Sequence, residues 1–362
     1  MHGDEPLEDW LLGDRIAADE PHAGRDQTQR VLSRVEQLEG VLEGVAEGDR
    51  VNLEGVYLWR SYLEPLRFSE DELDRLSRVY RKVMGVRGSG SARVQDELLR
   101  IIGSAGARTL VPFWTELLTY TKARDQFSKR RRSLALAALA YAFIRAESHA
   151  PEAIAALESG LRHKDAATRG EAAYYLATAF VQRGEPAPSD IIDSLGSCAR
   201  KNRALRPRHL ARRALAALGS PLPVEPEGGV YAFKVWHHWD EDTYRVIEME
   251  SQDSLDILHS AIQRAWNWDA DHLYVFYVDG ALRERRFEFA HDAVEEAGDY
   301  ALGIPVGSLG LRPRHRLLYI FDFGDNHRFT VQCEGVREDA GSGSFPRVVE
   351  AVGEPMEQYP AW

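Results

Sequence analysis

Two aspartates bracket a Phe-Gly pair in Asp322-Phe323-Gly324-Asp325, His327 follows two residues later, and Tyr319 and His272 stand upstream. Carboxylates and imidazoles of this kind can hold a divalent ion or move protons. The same spacing suits a tight turn in which aspartate oxygens accept from backbone N–H groups around a glycine, and the turn is the reading the sequence favours. Contact with a ligand or peptide is the third use, and His272, Tyr319, Asp322, Phe323, Gly324, Asp325 and His327 together form the candidate binding site. A second tempting cluster is His237-His238-Trp239-Asp240-Glu241-Asp242. Adjacent histidines on a strand point to opposite faces, however, and a polar hairpin loop accounts for the acids. No catalytic residue, metal site or cofactor is expected, because the chain has no phosphate-binding loop with its lysine, no G-x-S-x-G and no H-E-x-x-H. Cys198 and Cys333 lie far apart without C-x-x-C spacing.

Charge is distributed unevenly. The 362 residues carry 45 Lys+Arg and 57 Asp+Glu, a net charge of -12. Residues 1–86 hold 11 basic and 19 acidic side chains, residues 87–226 hold 22 and 13, and residues 227–362 hold 12 and 25. A basic block thus stands between two acidic ones. Within it, Lys129, Arg130, Arg131 and Arg132 are contiguous, and residues 199–213 contain Arg200, Lys201, Arg203, Arg206, Arg208, Arg212 and Arg213 with no acid. These could line a phosphate-binding edge for nucleic acid. They equally suit solvated helix ends, with stems packed along the helices, and this second use is favoured. The block can also attract acidic parts of its own chain or of a second copy, so a protein partner or self-association is expected ahead of nucleic acid. No apolar run approaches the ~20 residues of a membrane span. The acidic start, Met1-His2-Gly3-Asp4-Glu5, lacks a signal peptide's apolar stretch, and a cytoplasmic location is expected.

The elements that must position these residues fall into two textures. Val31, Leu32, Val35, Leu38, Val41 and Leu42 recur at helical steps and predict a helix over residues 26–45. Ser69 with Glu72 predicts a capping box opening a second helix that runs to Gly85, and Gly88-Ser89-Gly90-Ser91 reads as a break or linker. From there to Gly219 the chain is rich in alanine and leucine and repeats at an offset of 37: residues 139–145 align with 176–182, Arg132 with Arg169, Ala150-Pro151 with Ala187-Pro188, and Ile154 with Ile191. Each unit reads as a helix, a loop, a proline in the first turn of a second helix, and that helix. Pro112 opens an earlier, less regular copy. Such pairs resemble HEAT or armadillo-type repeats, which are normally binding scaffolds.

A proline and glycine stretch at residues 220–229 marks a boundary, after which strands are predicted at residues 230–236, 243–250, 273–278, 282–289, 316–321, 328–333 and 347–352. Tyr231, Phe233 and Val235 share one face, Asp279-Gly280 suits a tight hairpin turn, and Leu255, Leu258, Ile262 and Ala265 space as a helix that Ser251 or Asp253 can open. Trp236, Trp239, Trp266 and Trp268 read as core and rim aromatics. The run Trp266-Asn267-Trp268-Asp269-Ala270-Asp271-His272-Leu273-Tyr274-Val275-Phe276, followed by Tyr319-Ile320-Phe321-Asp322-Phe323-Gly324-Asp325, resembles the Ri-plasmid ORF-three-like family, whose members also occur as insertion-element passengers. The resemblance covers about 130 residues and implies no established enzymatic activity. Departures include Tyr274 where the family has a second histidine and His327-Arg328-Phe329 in place of its Trp-x-His. No kinase-type motif accompanies the Asp-Phe-Gly triplet.

The expected architecture is multidomain: an N-terminal helical segment (1–86), an all-α HEAT-like repeat solenoid (87–220), a linker (221–229) and a C-terminal α+β domain (230–362) with a mostly antiparallel sheet and one main helix. The expected role is that of a non-catalytic bacterial interaction or adaptor protein. The alternatives are a mobile-element-associated nucleic-acid-binding protein, and a cryptic metal-binding or hydrolytic module at the Asp-Phe-Gly-Asp turn.

Overall fold

The computed structural model describes residues 23–58, 66–120, 127–146, 150–220, 224–295, 297–339 and 343–359. The acidic start and residues 221–223 of the proposed linker lie outside them. The chain divides into two compact units, Met1–Pro186 and Ala187–Trp362. A helical N-terminal region is followed by a C-terminal antiparallel sheet domain.

The first unit contains α1 (Ala23–Val41), α2 (Glu70–Gly85), α3 (Ser91–Ser104), α4 (Val111–Thr119), α5 (Phe127–Ile144), α6 (Pro151–Gly160) and α7 (Ala166–Arg183). The expected capping box opens α2: Glu72 N–H donates to Ser69 Oγ at 3.3 Å, and Ser69 N–H donates to Glu72 Oε2 at 2.7 Å. The Gly-Ser tract is a packed turn rather than a linker. Val51 and Leu53 N–H groups donate to the carbonyls of Arg87 and Ser89 at 2.7 and 2.8 Å. Gly88, at φ +131°, passes so close that a Cβ would lie 2.1 Å from the Val51 carbonyl oxygen. Only glycine accepts both the dihedral and the approach. Small residues likewise let α6 meet α7, where a Cβ on Gly160 would stand 2.7 Å from that of Ala172. The aligned residues 139–145 and 176–182 fall in and at the end of α5 and within α7, and Pro151 opens α6. The second copy crosses the division between units, since its second helix, α8 (Ser189–Lys201), belongs to the second unit.

That second unit begins with α8 and α9 (Leu205–Ala217). It continues through β1 (Val230–His237), β2 (Asp240–Glu250), α10 (Leu255–Trp266), β3 (Tyr274–Val278), β4 (Glu288–Ala290), β5 (Arg316–Phe321), β6 (His327–Arg337) and β7 (Arg347–Val352). The strands form one antiparallel sheet in the order β4-β3-β5-β6-β1-β2-β7. The registers Phe233↔Cys333, Val235↔Val331, Leu317↔Val331, Tyr319↔Phe329 and Phe276↔Tyr319 line one face with buried apolar side chains. Helix α10 lies on that face, with Trp266 edge-on to Phe329 at 5.2 Å. Its N-cap is Ser254, whose Oγ accepts from Ile257 N–H at 3.3 Å, and not Ser251 or Asp253. Asp253 instead accepts from Glu250 N–H at 2.8 Å. The strand expected over residues 282–289 shrinks to β4, because Arg283 takes a left-handed φ of 65° and residues 285–287 form a 3-10 turn.

Helix α9 packs on the end of the sheet that carries the β3–β4 connection, and arginines do the joining. Arg208 Nε donates to the Gly310 carbonyl at 2.9 Å and its Nη1 to the Arg200 carbonyl at 2.6 Å. Arg212 Nε donates to the Ser308 carbonyl at 2.6 Å, and Arg213 reaches the carbonyls of Arg286 and Gly298 at 2.9 and 3.1 Å. Both Arg208 and Arg212 are 3% exposed. Burial, then the neighbouring Arg312 and Arg212, lower the Arg208 pKa to about 10, which still leaves it charged at neutral pH. A buried cation is tolerated only when its N–H groups are met, and a fixed fork of donors aimed at loop carbonyls meets them. The compact unit therefore starts well before the proline and glycine stretch. Arg208→Ala strands those carbonyls and is expected to lower the unfolding free energy of this unit by about 3 kcal/mol, measured by urea unfolding of the full chain.

Candidate functional site

The Asp-Phe-Gly-Asp segment links β5 to β6 as a tight turn. Asp322 takes φ 54°, and its Oδ1 accepts from the N–H groups of Gly324 at 2.9 Å and Asp325 at 3.4 Å. Asn326 N–H donates to the Asp322 carbonyl at 2.6 Å. One carboxylate oxygen thus holds the turn, and the other, Oδ2, lies 3.5 Å from both His272 Nε2 and the Tyr359 hydroxyl. Phe323 and Asp325 point to solvent. Among the described residues no group of three or more His, Cys, Asp or Glu is arranged to hold a metal ion.

Beneath this turn the sheet brings together two histidines far apart in sequence. His237 ends β1 and His327 opens β6; both lie on the α10 face, 2% and 8% exposed, with ring centroids 6.0 Å apart. Trp268, just past the end of α10, lies 4.6 Å from His327 and 6.4 Å from His237. His237 Nδ1 accepts from Trp239 N–H at 3.4 Å, which places the ring proton on Nε2, and Nε2 of each histidine lacks a hydrogen-bond partner. Burial, then the neighbouring His327 and His238, push the His237 pKa down to about 4. Burial also lowers His327, against the opposing pull of Asp325 and Asp322. Residues 353–359 cross this region as a strap. Trp268 Nε1 donates to the Met356 carbonyl at 2.9 Å, Asp269 N–H donates to Gln358 Oε1 at 2.7 Å, and the Tyr359 ring lies 6.2 Å from His272 and 6.4 Å from His327.

Tyr319, by contrast, is interior. Its hydroxyl accepts from Gln263 Nε2 at 2.6 Å and shares a hydrogen bond with His259 Nδ1 at 2.7 Å. The His259 ring stacks on Tyr274 at 3.9 Å, and the Tyr274 hydroxyl donates to Asp256 Oδ1 at 2.6 Å. Burial pushes His259 down to about 4 and Tyr319 well above the ordinary tyrosine range, so neither changes charge near neutral pH. The network seats α10 on β3 and β5, and its residues are removed from the exposed surface around Asp322.

The basic residues separate in the same way. Arg130 pairs with Asp96 at 2.5 Å, Arg131 donates to Gln95 Oε1 at 3.1 Å, and Arg132 donates to Thr168 Oγ1 at 2.8 Å and pairs with Asp165 at 3.4 Å. Arg206 pairs with Asp279 and Glu284, each at 3.4 Å. Arg208, Arg212 and Arg213 are bound to carbonyls, while Lys129, Arg130, Arg200, Lys201 and Arg203 are exposed. The buried guanidinium groups of Arg208 and Arg212 differ from the expectation of solvated helix-end residues, because loop carbonyls take up their donors. The partnership of His237 with His327, the network at His259 and Gln263, and the strap have no local signature. The one available clue was that His237, facing opposite to His238 on its strand, had to be buried.

The protein is therefore of a mixed class, a helical region joined to an antiparallel α+β domain whose strand-turn end gathers the candidate residues. Over residues 230–358 it is similar to the family described as plasmid pRiA4b ORF-3-like protein. Helices α8 and α9 belong to the same compact unit but precede the matched residues. No curated protein matches the chain. Among solved structures, one of a protein of unknown function from Methanosarcina mazei Go1 is similar at 19% identity, with a TM-score of 0.31, covering 36% of this chain and 72% of that one.

Two outcomes follow from the buried groups. His209, His237 and His259 titrate in the folded unit at about 3, 4 and 4, against 6.5 when free. The unfolded chain then binds more protons between these values, so stability is full above about pH 6.5 and falls as pH drops toward 4. Urea unfolding at stepped pH should show this slope, and His237→Phe should reduce it by about one proton. Tyr319→Phe leaves His259 and Gln263 without their shared partner and should cost about 2 kcal/mol in the same assay at pH 7.5.

Proposed function

We propose that this chain is a non-catalytic interaction protein of the adaptor kind, holding a protein partner through the strand-turn end of its α+β domain and through a HEAT-type surface of its helical region, in the bacterial cytoplasm. The observation that carries the reading is where large apolar side chains meet solvent. Trp239 in the β1–β2 turn is 82% exposed, and Phe323, Met356 and Tyr359 are exposed at the same end of the sheet. Such a group around a buried aromatic floor is the usual composition of a protein-binding surface. The arginines that would grip phosphates are mostly committed to carbonyls and carboxylates within their own unit, which weakens the nucleic-acid alternative. No described helix is long and apolar enough to cross a membrane.

Affinity capture with the full chain, with and without nuclease, tests this reading. The expected result is a nuclease-resistant protein partner at moderate salt that a Trp239→Ala/Phe323→Ala chain no longer retains. Recovery of nucleic acid alone, lost when Lys129, Arg200, Lys201 and Arg203 are reversed to glutamate, would replace the adaptor reading with the nucleic-acid one.

A further inference from the structure

We infer that the strand-turn end of the second unit is built for a cationic, apolar-flanked polypeptide segment, one presenting lysine or arginine between aliphatic side chains. The inference rests on the binding role just proposed and names its partner's chemistry. Three segments converge there: the β1–β2 turn, the α10–β3 loop and the β5–β6 turn, with the strap beside them. They are joined by backbone, since His238 N–H donates to the Arg328 carbonyl at 2.7 Å and Asp322 N–H to the Leu273 carbonyl at 3.0 Å. Each carries exposed carboxylates: Asp240, Glu241 and Asp242 on the first, Asp269 and Asp271 on the second, and Asp325 on the third. The strap adds Glu354 and Glu357. The arginines at this end are Arg245, buried with Nε donating to the Ala265 carbonyl at 3.2 Å and Nη1 to the Val352 carbonyl at 2.9 Å, Arg264, in the last turn of α10, and Arg328, half-buried with Nε donating to Asn326 Oδ1 at 3.2 Å.

Acid alone would make only a diffuse field. Here the acids surround the exposed Trp239, Phe323, Met356 and Tyr359, so a bound segment meets carboxylates and apolar contact together. Aromatic faces add attraction for a guanidinium or ammonium group, and an anionic partner would be repelled by the same surface. Two histidines lie under this rim. His237 and His327 are more than nine-tenths buried beneath this rim, and each keeps Nε2 without a partner.

The test uses fluorescein-labelled twelve-residue peptides of alternating Arg-Leu, Arg-Gly and Glu-Leu, titrated into the full chain and followed by anisotropy. The Arg-Leu peptide should bind at least tenfold more tightly than either of the others. Trp239→Ala and, separately, Asp240→Asn/Asp242→Asn should each weaken it at least fivefold; asparagine keeps the Oδ1 acceptor that holds the turn, where Asp242 and Thr243 N–H donate to Asp240. Neutralising Glu70 and Asp71 on α2 should leave binding unchanged. Equal binding of Arg-Gly and Arg-Leu peptides, indifference to the Trp239 or Asp240/Asp242 changes, or preference for Glu-Leu overturns the inference. If a captured partner depends on Trp239 and Phe323 but not on Asp240 and Asp242, the adaptor reading stands and the cationic chemistry falls. If capture is indifferent to Trp239 and Phe323, the binding role of this end itself fails.

Discussion

The hydroxyl of Tyr319 fixes where α10 sits, and much of the second unit follows from that one shared group. It is held from two sides by Gln263 and His259 on successive turns of the helix, while its own strand, β5, lies inside the sheet between β3 and β6. Apolar packing of Leu258, Ile262 and Trp266 supplies most of the burial, but apolar contact is not directional and tolerates sliding. A buried hydroxyl with two hydrogen-bond partners in fixed places does not, because any shift strands a polar atom in a low-dielectric interior. With the helix so placed, its C-terminal end delivers Trp268 against His237 and His327, and the strap anchors on the Trp268 indole.

The same physics acts at the other end of the sheet with charge in place of a hydroxyl. Segment 199–213 is the most basic stretch of the chain, and its local composition suggests a surface for anions. Packing reverses that suggestion for Arg208, Arg212 and Arg213, whose guanidinium groups meet the carbonyls of Gly310, Ser308, Arg286 and Gly298. Loop carbonyls without strand partners need donors, and arginine brings several in a rigid plane. Helix α9 thereby becomes part of the α+β unit although the family resemblance begins only at β1.

Charge and apolar exposure divide the second unit. Arg206, Arg208, Arg212 and Arg213 lie where α9 packs, and the unit's exposed aromatics and many of its free carboxylates lie at the strand-turn end, along with Arg245, Arg264 and Arg328. Under the proposed binding role, that arrangement would discriminate between partners by sign, with Trp239, Phe323 and Tyr359 supplying apolar contact area.

Much of this was legible along the chain. The capping box at Ser69 and Glu72, the prolines opening α4 and α6, the alternation of Tyr231, Phe233 and Val235, and the Asp322 turn all depend on contacts within a few residues, so residue type and spacing determine them. The exchange of Ser251 or Asp253 for Ser254 as a cap, and the loss of most of the strand expected over 282–289, depend on neighbours that only the folded sheet brings close. So do the inward turn of the arginines, the meeting of His237 with His327 across some ninety residues, and the placement of the unit boundary before α8. The sequence by itself determined the helical region, the antiparallel α+β domain and the turns, because propensity and periodicity are local. Tertiary structure alone decided which polar groups are buried together and which face solvent, because long-range packing assigns the partners of each donor and acceptor.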